Sequence, residues 1–311
     1  MRAMIVSVII VTYNGMQWLE RCLASVPESY ELVIVDNHST DDTVAFIEEN
    51  YPKAKLFKEK QNLGFGQANN KGIRYALKQG ADYVYLLNQD AYLETDTIEK
   101  LICVYSNFPD YGILSPIHTN KNKTRLDQNF SNYLNYKSNS DFYSDFVLGK
   151  SIAEVYEVPF VNAAGWLIPK KTLITVGGFD PIFFHYGEDD NYCQRVKYHN
   201  KKIGVVPSAF MVHDREDRIK AKFKRGSKEY FSELEKKLKV NLADINNSQA
   251  MDELNSLILK TKRNYLKQLL SFKFGNVNYH KKKLLMLYAI NKEIKQSRVK
   301  NKFGGYIYFY N

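Results

Sequence analysis

Four short polar motifs combine the residue types that could hold a charged ligand and move a proton. They are Thr12-Tyr13-Asn14, Asp36-Asn37, Asn88-Gln89-Asp90 and Glu188-Asp189-Asp190. The first three each follow an apolar, β-branched run, which is where open α/β sheets bind their ligands. Together these side chains could hold a nucleoside diphosphate through a metal ion and deprotonate a hydroxyl group.

Asp36 stands at the end of the second apolar run of the chain. Its carboxylate could accept hydrogen bonds from a nucleotide base or from a ribose hydroxyl. Asp and Asn also commonly stabilise turns by local hydrogen bonds. Considered without the other motifs, the presence of Asp36 and Asn37 would be explained by that role. The presence of Thr12, Tyr13 and Asn14 at a neighbouring predicted strand end favours a nucleotide site built from both motifs.

Asp90 directly follows the strongly apolar run of residues 83–87. A carboxylate in this position suits Mg²⁺ or Mn²⁺, which takes its other ligands from water and substrate phosphates. Such an ion would neutralise the charge that develops on a leaving diphosphate. His213, at the end of a later predicted strand, could complete the coordination, although a histidine there is also common as a packed or surface residue.

Three consecutive carboxylates, of Glu188, Asp189 and Asp190, open a predicted helix. Acidic residues stabilise a helix N-terminus, and this effect alone would be a sufficient explanation for the presence of the three carboxylates. Here, however, they follow the aromatic segment of residues 183–186, which could exclude water and stack on a sugar. A partly desolvated Asp in that setting can act as a general base towards an acceptor hydroxyl, and both Asp189 and Asp190 are candidates.

Residues 62–70 contain two glycines but do not form a dinucleotide-binding fingerprint. Asn69 stands at the third glycine position, and the segment follows the third predicted strand rather than the first. We expect Gly64 to let the backbone approach a diphosphate or a sugar. We expect Asn69 and Asn70 to form hydrogen bonds to nearby loops.

The elements that must position these residues alternate between strands and helices along the first half of the chain. The predicted strands are 6–11, 32–36, 55–57 and 83–87, and the predicted helices are 16–26, 41–49 and 66–79. Ser39 is expected to cap the second of these helices. This alternation predicts parallel strands joined by crossover helices.

The second half of the chain is less regular. Residues 119–150 show no clear period and predict a long irregular connection. An apolar block then precedes a predicted helix at 188–198 and two predicted strands at 202–206 and 210–213, after which the pattern becomes helical and basic.

Composition limits the class of protein. The 311 residues include three scattered cysteines, Cys22, Cys103 and Cys193, without a CxxC motif. This argues against a disulfide framework or a structural zinc site and favours a reducing, cytoplasmic location. The apolar run at 4–11 is too short to span a membrane, and we interpret it as a buried strand rather than a signal peptide.

The positive charge is concentrated in the last third of the chain. Residues 221–311 contain 20 Lys and Arg against 7 Asp and Glu, a net charge of +13, whereas residues 1–220 contain 24 against 27, a net charge of −3. This segment could lie peripherally on the anionic inner face of the cell membrane, pack on the catalytic body, or form a homodimer. We expect no nucleic-acid partner, because no recognised nucleic-acid-binding module is found.

Taken in order, the motifs VTYN, VDNHS, NLGFGQANN, LNQD, GGFD and GEDD resemble those of the family-2 inverting glycosyltransferases, and within them the rhamnosyltransferase-like branch that builds bacterial surface polysaccharides. The resemblance covers about residues 4–215. It implies the glycosyltransferase-A fold, an α/β architecture with a Rossmann-like, mixed, mainly parallel sheet flanked by helices, here with a C-terminal helical extension. The implied organisation is a nucleotide-binding half at 1–118, an acceptor half at 119–215 and a basic extension at 216–311.

The resemblance also implies a reaction. A sugar would move from a nucleotide diphosphate sugar, dTDP-rhamnose or a UDP-sugar, to a hydroxyl of a cell-surface polysaccharide or lipid-linked glycan. The transfer would be a single displacement with inversion, assisted by Mg²⁺ or Mn²⁺. A catalytically silent nucleotide-sugar-binding protein is the alternative.

Position by position, the resemblance assigns roles to residues of this chain. Asp189 matches the usual catalytic base, and Asp90 and His213 match metal-binding positions. Thr12, Tyr13, Asp36 and Asn37 match the nucleotide-contacting strand ends, and Asn88 matches the first position of the Asp-x-Asp element. Independently of the resemblance, we also expect Asn14, Gly64 and Asn69 to contribute to nucleotide binding.

Two departures from the family pattern affect these assignments. Asn88 replaces the first Asp of an Asp-x-Asp element, which removes one negative charge near the metal and motivates the silent-binder alternative. Asn191 and Tyr192 replace an Asp-Leu pair after the acidic motif, which leaves Asp190 as an alternative base.

Overall fold

The computed structural model describes residues 4–215, 223–272 and 274–309. Within these residues the chain forms nine strands, joined in a single sheet, and eleven helices. Residues 216–222, with which the predicted extension begins, lie outside the described residues.

The first half alternates strands and helices as the sequence predicts. Its elements are β1 (Val6–Thr12), α1 (Met16–Ala24), β2 (Glu31–Asp36), α2 (Thr43–Asn50), β3 (Lys55–Lys58), α3 (Phe65–Gln79) and β4 (Tyr83–Asn88). The predicted elements are confirmed to within two residues at each end, and the four strands pair in parallel. The predicted cap is wrong: Asp42 is the N-cap residue of α2, whereas the hydroxyl of Ser39 donates to Asp36.

The described part of the second half adds five strands to the same sheet, of which β5, β7 and β8 are antiparallel to the strands that they pair with. Its elements are β5 (Ala91–Leu93), α4 (Thr97–Asn107), β6 (Tyr111–Thr119), α5 (Gln128–Ser131), α6 (Ser140–Val147), β7 (Tyr156–Glu157), β8 (Gly165–Pro169), α7 (Lys170–Val176), α8 (Glu188–Tyr198) and β9 (Lys202–His213). The sheet order is β3-β2-β1-β4-β8-β6-β9-β5, with β7 paired to β9. The sheet is mixed because β8 is antiparallel to both β4 and β6.

Two sequence predictions for this half need correction. The connection at 119–150 is not wholly irregular, because it contains α5 and α6. The two strands predicted at 202–206 and 210–213 form one strand, β9, whose pairing with β6 skips residues 207–209. Pro207 lies in the skipped segment, and proline cannot donate a hydrogen bond to a neighbouring strand.

The core lies on both faces of the sheet. Successive residues of β1 point to opposite sides, so Val8 and Ile10 pack in one buried cluster while Ile9 packs in the other. Helices cover both faces, which explains why the strands have nearly continuous apolar sequences rather than alternating ones. The sheet therefore forms a rigid support for the polar loops at its carboxyl edge.

The C-terminal region consists of α9 (Lys228–Ala243), α10 (Ala250–Leu270) and α11 (Phe274–Phe303). Both α9 and α11 contact α8, and Phe309 is buried in the core cluster beside the sheet. Of the arrangements left open by the sequence, contact with the domain that contains the sheet is therefore observed. No helix in the described part of the chain is both long and apolar enough to cross a membrane.

Candidate active site

The polar ends of three parallel strands meet at one edge of the sheet. Thr12 of β1 pairs with Asp36 of β2, and Val11 pairs with Asn88 of β4, so the residues that follow these strands lie side by side. A cleft of about 720 Å³ opens at this edge. The predicted site residues that line it are Tyr13, Asn14, Asn37, Gly64, Asn88, Asp90, Asp189 and His213.

The other four predicted site residues are not among those that line the cleft. Thr12 and Asp36 are buried beneath it, where Thr12 Oγ1 donates to Asp36 Oδ1 at 3.0 Å. Asn69 is buried in α3 and donates to the carbonyl oxygen of Phe65 in the same helix at 3.0 Å, so the hydrogen bond expected from Asn69 to a nearby loop is not observed. Asp190 lies one residue behind Asp189, and its amide donates to the Asp189 carboxylate at 3.0 Å.

Hydrogen bonds between loops hold the three strand ends in place. The amide of Asn14 donates to Ser39 Oγ at 2.9 Å, and that of Ser39 to Asp36 Oδ2 at 2.9 Å. Asn14 has a positive φ of 47°, a conformation that Asn tolerates better than most residues. Gln89, to which the sequence analysis gave no role, accepts from the amide of Tyr13 at 2.9 Å and so joins the β1 and β4 ends.

Gly64 is required by a close contact between two loops. Its φ is +79°, and a Cβ atom there would lie 1.9 Å from the carbonyl oxygen of Phe184. The space left by the absent side chain is therefore filled by the aromatic loop, a contact that the sequence did not predict. The expectation for Asn70 is confirmed, because its side chain accepts from the amide of Phe179 at 2.7 Å and donates to its carbonyl oxygen at 2.8 Å.

Asp90 and His213 are brought together by the pairing of β5 with β9. Ala91 is paired with His213, and the amide of Asp214 donates to the carbonyl oxygen of Asp90 at 2.7 Å. Asp90 Oδ1 lies 3.5 Å from His213 Nε2. Burial alone would raise the pKa of Asp90, but the interaction with the neighbouring His213 lowers it overall. Asp90 is therefore ionised at neutral pH.

These residues fit a divalent cation that shares its coordination with a substrate. In the described part of the chain, no group of three or more His, Cys, Asp or Glu residues is arranged to hold a metal. Two donor atoms 3.5 Å apart could both reach one ion at about 2.1 Å, and Mg²⁺ typically uses one or two carboxylates plus substrate phosphates. Asn88 Oδ1 also lines this region, buried and without a hydrogen-bond partner.

An ion pair that the sequence analysis missed lies on the same wall of the cleft. Arg215 Nε donates to Asp127 Oδ2 at 2.9 Å, and its Nη2 donates to Oδ1 at 2.6 Å. Asp127 also accepts from the amide of Phe130 and so caps α5. Burial raises the pKa of Asp127, but the hydrogen bond from Arg215 lowers it overall. Arg215 could have been proposed as a site residue from the sequence, because it lies two residues after His213. No sequence feature indicated a role for Asp127, which lies in a segment without a periodic pattern.

The acidic motif begins α8, and Glu188 and Asp189 line the same cleft. Its N-cap, Gly187, has a φ of +95°. Burial, followed by the charge of Asp190, raises the pKa of Asp189. Burial, followed by the charge of Asp189, raises the pKa of Glu188, whose Oε2 is buried without a hydrogen-bond partner. A carboxylate with a raised pKa is a better proton acceptor near neutral pH, as a general base requires.

Aromatic side chains form the wall next to these carboxylates. Phe184, His185 and Tyr186 line the cleft, as expected, whereas Phe183 is buried. Phe184 is 60% exposed and Tyr186 is 52% exposed. Lys236 of α9 lies 5.2 Å from the centre of the Tyr186 ring, which shows that the C-terminal region reaches the site.

Comparison with known sequences agrees with this arrangement. The sequence model described as "Glycosyl transferase family 2" matches residues 7–168, more than half of the chain. The chain is 25% identical over 210 residues to the dTDP-rhamnosyl transferase RfbF of Shigella flexneri, which covers 66% of this chain and 67% of that protein. It is 26% identical over 232 residues to the N-acetylglucosaminyl-diphospho-decaprenol L-rhamnosyltransferase of Mycobacterium tuberculosis, which covers 67% of this chain and 76% of that protein.

Solved structures share the fold at low sequence identity. The structure of S. aureus TarS 1–349 in complex with UDP superposes with a TM-score of 0.52 and 20% identity, covering 78% of this chain and 66% of that one. The structure of GalNAc-T7 with UDP, GalNAc and Mn²⁺ gives a TM-score of 0.54 and 17% identity, covering 76% of this chain and 47% of that one. The architecture is thus that of glycosyltransferase-A proteins.

Proposed function

The chain belongs to glycosyl transferase family 2, and on this premise we propose that it moves one sugar from a nucleotide diphosphate sugar to a hydroxyl of a glycan. One observation carries the proposal. Asp90 and Asp189, which are distant in the sequence, line the same cleft together with Asn37 and Asn88. An ionised carboxylate near the strand ends and a proton-accepting carboxylate in the same cleft suit the two tasks of sugar transfer.

The proposed donor is dTDP-rhamnose or a UDP-sugar. Support comes from the names of the two relatives, which are rhamnosyltransferases, and from the UDP held by structures of the same fold. We assign nucleotide binding to the half formed by residues 1–118, where Tyr13, Asn14 and Asn37 line the cleft. Thr12 and Asp36 would act from beneath by fixing these turns.

Asp189 is the proposed general base. Its carboxylate would take the proton of the acceptor hydroxyl while the hydroxyl oxygen forms a bond to the anomeric carbon. The bond from that carbon to the diphosphate oxygen breaks, and the diphosphate leaves with the electron pair. A single displacement of this kind inverts the anomeric configuration. Asp190 is the alternative base, although it does not line the cleft.

Asp90 and His213 are the residues that would hold Mg²⁺ or Mn²⁺, with Asn88 beside them. When bound, the ion would neutralise negative charge on the leaving diphosphate. Arg215, fixed in orientation by its bidentate ion pair with Asp127, would present its guanidinium group on the same wall.

The acceptor is proposed to be a cell-surface polysaccharide or a lipid-linked glycan, bound by the half formed by residues 119–215. The exposed rings of Phe184 and Tyr186 offer the apolar surface on which a sugar ring can stack. One relative is named for an acceptor sugar carried on a lipid diphosphate. A cytoplasmic enzyme at the inner membrane face would meet such an acceptor.

A nucleotide-sugar-binding protein without activity is the second candidate. It is favoured by Asn88, which stands where the family pattern has an Asp and leaves one charge fewer near the metal. The two candidates differ in whether the bond to the diphosphate is broken.

A combined binding and turnover assay tests the proposal. UDP-sugars and dTDP-rhamnose would be added with and without Mn²⁺, in the presence of lipid-linked glycan acceptors, while thermal unfolding and released nucleoside diphosphate are measured. An active enzyme should show both a donor-dependent rise in melting temperature and metal-dependent release. A rise without release would favour the silent binder, and the absence of any rise would contradict both.

A further inference from the structure

Within the C-terminal region, helices α10 and α11 form an antiparallel hairpin. Leu254 and Ile258 of α10 are buried in one apolar cluster with Leu287 and Ile290 of α11. Near the turn, Asn276 Nδ2 donates to Gln268 Oε1 at 3.2 Å. The apolar cluster and this hydrogen bond fix the two helices side by side, so that residues near 262 lie close to residues near 283.

The outer part of this hairpin carries positive charge without acidic residues. Between Glu253 and Glu293 the sequence contains no Asp or Glu. The basic residues in that interval are Lys260, Lys262, Arg263, Lys267, Lys273, Lys281, Lys282, Lys283 and Lys292. Because the helices are antiparallel, the basic residues of α10 near 262 lie at the same level of the hairpin as those of α11 near 282, and this concentration of positive charge favours an anionic partner.

Exposed leucines lie among these charges. On α10, Leu259, Leu266 and Leu270 follow a spacing of seven and then four residues, so they share one helix face with Lys262 and Arg263. Leu270 is 80% exposed and lies at the end of α10. On α11, Leu285 is 62% exposed and follows Lys281 by one helical turn.

We propose that this hairpin docks on the surface of an anionic lipid bilayer. Lys and Arg side chains would contact lipid phosphates, while Leu266 and Leu270 enter the boundary between headgroups and acyl chains. The presence of both basic residues and exposed leucines favours a lipid bilayer over a nucleic acid. A nucleic acid would bind the basic residues but would leave the leucines exposed to water. The docking would be peripheral, and it does not depend on the identity of the donor sugar.

Flotation of the full chain with vesicles tests this proposal. Vesicles of phosphatidylcholine alone would be compared with vesicles containing about one third phosphatidylglycerol, at low and high salt. The chain should float with the anionic vesicles only, and high salt should reduce the floating fraction. Equal flotation with both vesicles, or none with either, would overturn the proposal, as would preferential capture of RNA when RNA and anionic vesicles compete.

Two matched pairs of variants locate the surface. Lys281→Gln/Lys282→Gln should weaken binding to anionic vesicles about tenfold, whereas Lys53→Gln/Lys60→Gln, exposed on the catalytic body, should leave it unchanged. Leu266→Gln/Leu270→Gln should also weaken binding, whereas Phe146→Gln/Leu148→Gln on and beside α6 should not. Equal effects of a hairpin pair and its control would contradict the proposal.

The hairpin variants should retain donor-dependent thermal stabilisation and diphosphate release when no vesicle is present. This measurement separates the two proposals. If the proposed sugar transfer is wrong, the wild-type chain releases no diphosphate even without vesicles. If only the docking proposal is wrong, diphosphate release is normal and the flotation experiments alone fail.

Discussion

The carboxylate of Asp180 accepts a hydrogen bond of 2.6 Å from the hydroxyl of Ser297, and both residues are buried. Asn301 donates to the same carboxylate oxygen at 2.8 Å. Asp180 belongs to the turn that leads into the aromatic loop and the acidic motif, whereas Ser297 belongs to α11. The C-terminal region is thereby bound to the segment that carries Asp189.

Loss of this hydrogen bond should destabilise the whole fold. Ser297→Ala is expected to lower the free energy of unfolding by about 1–2 kcal/mol, because a buried carboxylate loses one of its donors. Urea denaturation measures the effect. Ser256→Ala, at an exposed position of α10, is the control and should change stability by only a few tenths of a kcal/mol. Equal stabilities of the two variants would show that the contact contributes nothing.

Substitution of the two candidate bases should separate their roles. Asp189→Asn is expected to lower kcat by about 10²–10⁴-fold with little change in nucleotide affinity, because only proton transfer is lost. Asp190→Asn should have a much smaller effect, since Asp190 does not line the cleft. Steady-state kinetics and nucleotide titration provide both numbers. The reverse order of effects would assign the base to Asp190.

The pH dependence of activity should report the environment of Asp189. Burial and the neighbouring Asp190 raise the pKa of Asp189, and a base must be deprotonated to act. The acid limb of the kcat/KM profile should therefore lie well above the value of about 3.9 for an ordinary Asp. Asp190→Asn removes the second charge and should move that limb to lower pH. A limb near pH 4 in the wild-type chain would contradict this assignment.

The same raised pKa predicts a cost in stability. The folded chain binds the Asp189 proton more tightly than the unfolded chain, so the free energy of unfolding falls as pH rises from about 4 through the folded pKa. Asp189→Asn should thus stabilise the fold at pH 8 by on the order of 1–2 kcal/mol, and by little below pH 4.

Thermal unfolding at the two pH values would measure this difference. Asp96→Asn serves as the control because the hydrogen bond from Lys100 lowers the pKa of Asp96, so no gain at pH 8 is expected. A gain for Asp189→Asn that is independent of pH would exclude this explanation.

Substitution of the proposed metal residues should change the requirement for the ion. Asp90→Asn and His213→Ala are expected to raise the Mn²⁺ concentration that gives half-maximal diphosphate release by about tenfold or more. Donor stabilisation measured with chelator present should change little. His38→Ala, an exposed histidine that does not line the cleft, is the control. An unchanged requirement in both variants would place the metal elsewhere.

Local sequence patterns predicted the strands and helices of the first half because burial imposes a period on the chain. Residues of β1 alternate between two apolar clusters, and α3 places its apolar residues on one face. Since β1, β2 and β4 are parallel, their ends had to meet at one edge. The grouping of Tyr13, Asn37, Asn88 and Asp90 followed from that rule.

Contacts between segments that are distant in the sequence could not be predicted from local patterns. Gly64 was expected to let the backbone approach a diphosphate or a sugar, and its contact with Phe184, whose carbonyl oxygen is the nearest atom to the absent side chain, was not foreseen. The pair of Asp127 with Arg215 joins an aperiodic segment to the end of β9. The basic region was equally compatible with several surfaces until its contacts with α8 were known.

The sequence by itself thus determined the alternating elements, the polar strand ends and the acidic helix start, because each depends on neighbouring residues that share one face or one terminus. Only the tertiary structure decided that Asp189 and Asp90 line one cleft, that Asp36 is buried and does not line it, and that Ser297 donates a hydrogen bond to Asp180. These relationships depend on which surfaces pack together, and packing joins residues whose separation in the chain leaves no periodic signal.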